Sequence, residues 1–283
     1  MKIMVTGAGG QLGQDVVNQS RIRGYDTLPF TSGALDITDS AAVHEIVAQI
    51  RPHAIINCAA YTIVDQAERD WERAFLVNGL GVRNLALAAR TCDTILVHYS
   101  TDYVFDGQAQ RPYTVVDQPR PISRYGESKL LGEQMVQNHG SRYFLIRTSW
   151  VFGTGNTNFA QKVLEWSRER SELKVVDDQI ASPTSTFDLA RATLDLIKTE
   201  AYGLYHITNT GSCSRYTWAR YILDATGWNG TILPAKTAEF YTPARRPPYS
   251  VLDNFGFPEV VGYRLPPWEE ACRVYLKAMK VIP

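Results

Sequence analysis

Cysteine is scarce in this chain. Four of its 283 residues are cysteine, at Cys58, Cys92, Cys213 and Cys272, with no Cys-x-x-Cys pair and no neighbouring histidine at metal spacing. A disulfide framework and a zinc cluster are therefore not expected, and buried free thiols in a reducing cytoplasm are. Excess charge is missing as well: 29 Lys and Arg balance 29 Asp and Glu. A partner held by bulk electrostatics, nucleic acid above all, is not expected on that ground, and only a local basic patch is left open. No apolar run approaches a membrane span, and the N-terminus shows no charged segment leading into an apolar stretch. A cytoplasmic protein is expected, and the sequons at Asn18 and Asn229 read as chance. Internal repeats, low-complexity tracts and long linkers are also absent.

What is present fits an α/β chain. Hydrophobic residues make up 45% and charged residues 20%, and the length suits one large domain with a smaller lobe. Lys2 to Thr6 reads as a strand. Gly7-Ala8-Gly9-Gly10-Gln11-Leu12-Gly13 follows at once, then a helix over Gln14 to Arg23. A strand, a G-x-x-G-x-x-G loop and a helix form the context of a dinucleotide-binding turn, where amide N–H groups hold a pyrophosphate. The second strand, Asp26 to Phe30, ends in Thr31-Ser32. No carboxylate stands there to repel a 2′-phosphate, which favours NADPH, with NADH also usable. A helix over Ser40 to Ile50, a strand over Ala54 to Cys58, one long helix from Ala67 to Ala89 and a strand from Thr94 to His98 complete the rhythm. It predicts a parallel, doubly wound, Rossmann-like sheet.

Chemistry concentrates after the fourth strand. The carboxyl ends of strands in such a sheet face the ligand, and Tyr99-Ser100-Thr101-Asp102-Tyr103 lies there. Ser100 and Thr101 can bond a substrate carbonyl or cap a turn, and as a lone hydroxyl pair they read as caps. The loop from Gln108 to Ser123 leads into a helix carrying Tyr125 and Lys129, four apart and so on one helix face. An ammonium near a phenol lowers its pKa, as a proton donor in ketone reduction requires.

A strand over Tyr143 to Arg147 follows, and beyond Gly153 the alternation breaks. Helices are expected over Asn158 to Arg170, up to Lys198, over Arg215 to Thr226 with Ser214 as N-cap, and over Pro267 to Met279. Leu173 to Val176 and Gly203 to Ile207 read as strands. Residues 1–150 plus about 180–210 are expected to form the dinucleotide-binding domain. Residues of about 151–179 plus 211–283 are expected to form an α/β lobe packed back onto it. Arg245 and Arg246 read equally as a solvated basic turn or as ligands for a substrate diphosphate.

Four segments in this order carry a resemblance over nearly the full chain. They are Ser100-Thr101-Asp102-Tyr103-Val104-Phe105-Asp106-Gly107, Tyr125-Gly126-Glu127-Ser128-Lys129, Arg147-Thr148-Ser149-Trp150-Val151 and Asp178-Gln179-Ile180-Ala181-Ser182-Pro183-Thr184. With the Val5-Thr6-Gly7 start, the sequence resembles the extended short-chain dehydrogenase/reductase family, and within it the dTDP-4-dehydrorhamnose reductases. The resemblance implies NAD(P)H-dependent reduction of the C4 ketone of dTDP-4-dehydro-L-rhamnose. It implies Thr101, Tyr125 and Lys129 as the catalytic set: Thr101 orients the carbonyl, Tyr125 donates the proton, and Lys129 tunes the phenol and holds the nicotinamide ribose. It matches Gly7, Gly10, Gln11, Leu12, Gly13, Asp36, Ile37, Ala60, Tyr61, Thr62 and Tyr99 to the cofactor, alongside Tyr125 and Lys129. Asp102 and Trp150 match sugar contacts. Some relatives dimerise through a magnesium ion. Asp15 sits at one matching place, but the other positions fall at Phe187 and Asp188, so no metal is carried over and a homodimer stays open.

Three rivals share this fold. A nucleotide-sugar 4,6-dehydratase needs an Asp-Glu pair where this chain has Asp102-Tyr103. A 4-epimerase retains NAD and lets its sugar rotate. A regulatory subunit of the same fold acts by association, and the retention of Thr101, Tyr125 and Lys129 favours an enzyme.

Overall fold

The computed structural model describes residues 1–155 and 158–283. Six parallel strands form the central sheet: β1 Lys2–Thr6, β2 Asp26–Phe30, β3 Ala54–Asn57, β4 Ile95–Thr101, β5 Tyr143–Thr148 and β6 Gly203–His206. Their spatial order is β6-β5-β4-β3-β1-β2, paired in parallel register such as Val5 with Ile56 and Val97 with Phe144. β3 and β4 are buried at every position because helices cover both faces, and they open with the apolar runs Ala54-Ile55-Ile56 and Ile95-Leu96-Val97. Pro29 sits in the edge strand β2, where a missing N–H leaves no ladder bond unmade.

On one face Val16 and Val17 of the helix Gln11–Ile22 pack with Leu189 and Leu194 of the helix Thr186–Leu196. On the other, Val43, Val47, Leu85 and Val136 close the core. A third core lies beyond the sheet, where Phe152, Val163, Leu164, Trp218 and Leu276 come together. Three short pairings border it: Glu172–Val176 with Thr231–Ala235, Ile180–Ala181 with Cys213–Ser214, and Val151–Phe152 with Thr184–Ser185. Phe257 and Leu265, from the C-terminal part of the chain, pack into the sheet core instead.

Two expectations change. The first helix starts at Gln11, so Gly13 lies inside it. The long helix expected from Ala67 to Ala89 is broken into Val64–Ala67, Trp71–Phe75, a π-helical turn Leu76–Gly81, and Val82–Thr91. The chain leaves the helix at residues 68–70 and is helical again from Trp71 to Thr91, with two close-packed glycines in the π turn. A Cβ on Gly79 would lie 2.4 Å from the Leu131 side chain, and one on Gly81 2.7 Å from Ile37. The wide turn brings Asn78 inward, where it accepts from Tyr61 N at 2.8 Å and donates to Tyr61 O and to Ser128 Oγ, both at 3.0 Å. π turns of this kind cluster at functional sites.

Candidate active site

The strand order reverses between β1 and β3, and the cleft opens at their carboxyl ends. Gly7 turns there with φ +66°, and a Cβ on it would lie 2.4 Å from Ala59 N. A Cβ on Gly13 would lie 2.3 Å from Gly7 O. Only glycine fits either place, and the result is a bare-backbone cradle at a helix N-terminus. That cradle suits a pyrophosphate. Gly10, Gln11, Leu12 and Gly13 line the resulting cavity of about 480 Å³ with Ala60, Thr62, Tyr99, Thr101, Asp102, Tyr125, Lys129 and Trp150. A larger cavity of about 590 Å³ lies between residues 208–212 and 251–265, and brings together no such set of reactive groups.

Local packing places the reactive side chains. Ser123 caps the Tyr125 helix, accepting from Gly126 N at 3.2 Å. A Cβ on Gly126 would lie 2.3 Å from Tyr103 O, and one on Gly132 2.3 Å from Asn78 O. The helix thus lies directly on the turn after β4 and on the π turn, with Lys129 between its two contact glycines. Thr101 ends β4 and accepts from Tyr103 N at 3.1 Å, which is the capping role expected for a lone hydroxyl. It also donates to Asp102 Oδ1 at 3.0 Å and lines the same cavity as the Tyr125 phenol. Thr101 therefore both caps the turn and faces the site.

The electrostatics differ from expectation at Tyr125. Burial, and then the nearby Asp102 charge, push its phenol above the usual range, partly offset by the Thr101 hydrogen bond. Lys129 donates to Tyr99 O at 2.6 Å, and burial lowers its ammonium to about 8 against the opposing pull of Glu133. The phenol is thus a protonated acid at neutral pH, the state from which a donor acts. Burial raises Asp102 to about 6, against the hydroxyls of Ser250 and Thr101 and the charge of Arg215.

A second cavity of about 260 Å³ adjoins the first. It shares Thr62, Thr101, Asp102, Tyr125, Trp150 and Val151 with it, and adds Tyr103, Phe159, Arg215 and Trp218. Trp150 has φ 43°, a left-handed conformation that a bulky residue rarely holds and that functional sites often store. Arg215 lies over the Trp150 ring with its Cζ 3.6 Å from the centroid, and Trp218 stacks behind Trp150 at 6.0 Å. Arg215 was not singled out from the sequence. Its only local signal is the Ser214 cap, which says nothing of a guanidinium reaching Trp150.

Other candidates separate. Arg245 is exposed, whereas Arg246 is half-buried, pairs with Asp65 at 2.7 Å and donates to Ala244 O at 3.1 Å. Tyr99 sends its hydroxyl into the core, to Thr193 Oγ1 at 2.8 Å, so its carbonyl is the part that faces Lys129. Tyr61 is clamped through its backbone by Asn78 and donates its hydroxyl to Asp70 at 3.2 Å. Ile37 is a core side chain, and Asp36 accepts from Thr38 and lies 3.8 Å from Arg73. Neither is among the residues lining the cleft. Asp15 accepts from Thr186 Oγ1. Among the described residues no three His, Cys, Asp or Glu side chains converge in a metal-binding group, and no helix is long and apolar enough to cross a membrane.

Comparison with known proteins agrees with this geometry. A dTDP-4-dehydrorhamnose reductase of Burkholderia thailandensis is 37% identical over 96% of each chain. A dTDP-4-keto-6-deoxy-D-glucose reductase of Streptomyces niveus is 38% identical over 89% of this chain and 88% of that one. The crystal structure of dTDP-4-dehydrorhamnose reductase from Bacillus anthracis, in complex with NADP, superposes with a TM-score of 0.95 at 41% identity, covering 98% of this chain and 99% of that one. The model of the RmlD substrate binding domain matches residues 1–281. The chain belongs to that family, a branch of the extended short-chain dehydrogenase/reductases.

Proposed function

We propose that the protein reduces the C4 ketone of dTDP-4-dehydro-L-rhamnose to dTDP-L-rhamnose with NADPH, and with NADH as a second donor. One observation carries the reading: Thr101, Tyr125 and Lys129 meet in a single cleft that starts at a glycine cradle no side chain could share. The nicotinamide, when bound, supplies the hydride. The cradle of Gly7, Gly10, Gln11, Leu12 and Gly13 fits its pyrophosphate. Ala60, Tyr61, Thr62 and the Tyr99 carbonyl form the remaining wall, with Asp36 and Ile37 on the adenosine side acting through loop shape. Thr31 and Ser32, exposed after β2, suit a 2′-phosphate. The NADP in the Bacillus anthracis relative supports the same choice.

Thr101 orients the carbonyl, and Tyr125 gives its phenolic proton to the C4 oxygen. Lys129 keeps positive charge on the same helix face, which favours the phenolate left behind. Asp102 and Trp150 contact the sugar. Arg246 faces the diphosphate in preference to Arg245, joined by Arg215 from the stacked aromatic cluster. Residues 1–150 with about 180–210 act as the cofactor domain and the remainder as the nucleotide-sugar lobe. Separate cores support that division, with Phe257 and Leu265 as a point where the lobe segment completes the sheet core.

The test is oxidation of reduced nicotinamide by the purified protein. Its substrate is made in place by a 4,6-dehydratase and a 3,5-epimerase, and the product sugar is identified. No consumption with either cofactor would sink the reading. The Streptomyces niveus relative favours a second substrate, the 4-keto-6-deoxyglucose. Omitting the epimerase offers that sugar, and faster consumption there would select it.

A further inference from the structure

Ser250 closes the run Arg245-Arg246-Pro247-Pro248-Tyr249. Two prolines fix much of its backbone, and hydrogen bonds tie it down on both sides. Ile180 N donates to Pro248 O and Ser250 N to Ile180 O, each at 2.8 Å. Tyr113 N donates to Val251 O at 2.8 Å, and Asp253 N to Tyr113 O at 2.7 Å. A Cβ on Gly107 would lie 2.6 Å from Pro248 Cδ, so the run also packs directly on the turn after Asp106. The Ser250 side chain is therefore delivered in one place. It is 2% exposed and donates to Asp102 Oδ2 at 2.5 Å, from 148 residues further along the chain. The other carboxylate oxygen takes the Thr101 hydroxyl at 3.0 Å.

We infer that Ser250 is a positioning residue for ketone reduction: it fixes the Asp102 carboxylate so that Asp102 sets the direction of the Thr101 hydroxyl beside Tyr125. The inference rests on the reductase reading above. Asp102 is itself 2% exposed, and a buried carboxylate stays ionised and oriented only while donors face it. Those donors are Ser250 from the proline run and Thr101 from β4. Arg215 adds positive charge from its own helix, and the phenols of Tyr103 and Tyr125 complete the surroundings, with Arg246 reaching Tyr103. Without Ser250 one oxygen loses its donor. Asp102 then holds a proton at higher pH, and a protonated carboxyl can donate to Thr101, which turns the threonine hydroxyl.

Ser250→Ala and Ser250→Thr test this in the full-length protein. Carbon NMR of 13C-carboxyl-labelled aspartate follows the Asp102 titration without turnover, the resonance being identified by its loss in Asp102→Asn. An ionised Asp102 accepts from the Thr101 hydroxyl and a protonated one donates to it, so the hydroxyl turns and kcat/KM falls as pH drops through the Asp102 pKa of about 6. In Ser250→Ala the carboxyl midpoint and the acid limb of kcat/KM should both rise by about one pH unit, the worth of one hydrogen bond to a charged group. NADPH affinity should change less than about twofold, since the glycine cradle is untouched, and Ser250→Thr should restore both midpoints. A carboxyl midpoint unmoved in Ser250→Ala, or an acid limb that stays in place while the carboxyl shifts, overturns the inference. Failure of the reductase reading shows separately, as wild-type protein without ketone-dependent oxidation of nicotinamide; the carboxyl titration then still decides whether Ser250 holds Asp102.

Discussion

Glu133 lies one turn beyond Lys129 on the same helix, and its carboxylate is 1% exposed. Arg147, at the end of β5, reaches it with a two-point fork, Nε to Oε1 at 2.9 Å and Nη2 to Oε2 at 2.7 Å. Ser100 donates to the same Oε1 at 2.5 Å. Replacing Glu133 with Gln keeps the volume and removes the charge, so Arg147, 2% exposed, is left buried without its counterion. Breaking one side of a buried pair costs about 3–5 kcal/mol. Gln can still accept one of the bonds, which puts the expectation near 3 kcal/mol at the lower end of that range. At about 2 °C per kcal/mol for a chain of this size, Tm should fall by about 6 °C. The double variant Glu133→Leu, Arg147→Met should lose less than the two single losses added together, because neither charge is stranded. Activity should move too. Glu133 opposes the burial that lowers Lys129, so its removal lets the ammonium titrate below about 8. The alkaline limb of kcat/KM should then shift to lower pH. Thermal denaturation and a pH–rate profile measure both effects. Single variants within about 1 kcal/mol of wild type, with strictly additive losses in the double, would refute the reasoning.

Further outcomes follow from the same geometry. Tyr125→Phe should keep NADPH binding while losing about 10²–10⁴-fold in kcat, the usual worth of a positioned acid; unchanged turnover would remove Tyr125 from that role. Gly13→Ala places a Cβ 2.3 Å from Gly7 O, so NADPH affinity should collapse, which fluorescence titration reads directly. In wild type, kcat/KM should fall as pH rises through the Lys129 value of about 8, because the charged ammonium is the working form. Arg215→Met should raise the KM for the nucleotide sugar about 10–100-fold, at about 1.5–3 kcal/mol for a hydrogen bond to a charged group. Its NADPH affinity should stay intact.

Much of this was legible because it is local. The β1–glycine–helix start, the Tyr125/Lys129 spacing and the strands over Lys2–Thr6 and Asp26–Phe30 depend on residues within a few positions of one another. The π turn inside the helix expected over Ala67–Ala89 was not legible, since there Gly79 packs on Leu131 and Gly81 on Ile37, partners distant in sequence. The inward turn of Arg246 depends on Asp65, and the place of Arg215 on Trp150. The tyrosine carried a similar lesson. A neighbouring ammonium suggested a lowered phenol, but burial and Asp102 raise it, and Lys129 donates to the Tyr99 carbonyl.

Sequence alone determined the family and the doubly wound sheet and named the proposed reacting groups, because periodicity, glycine spacing and motif order are written along the chain. Tertiary structure decided that Arg215 lines the cleft and that Arg246 pairs with Asp65, how the phenol is held protonated, and that a serine 148 positions away holds the carboxylate beside Thr101. The physical reason is that burial and long-range hydrogen bonds arise only when distant segments meet, and they set the charge of a group whose type the sequence already names.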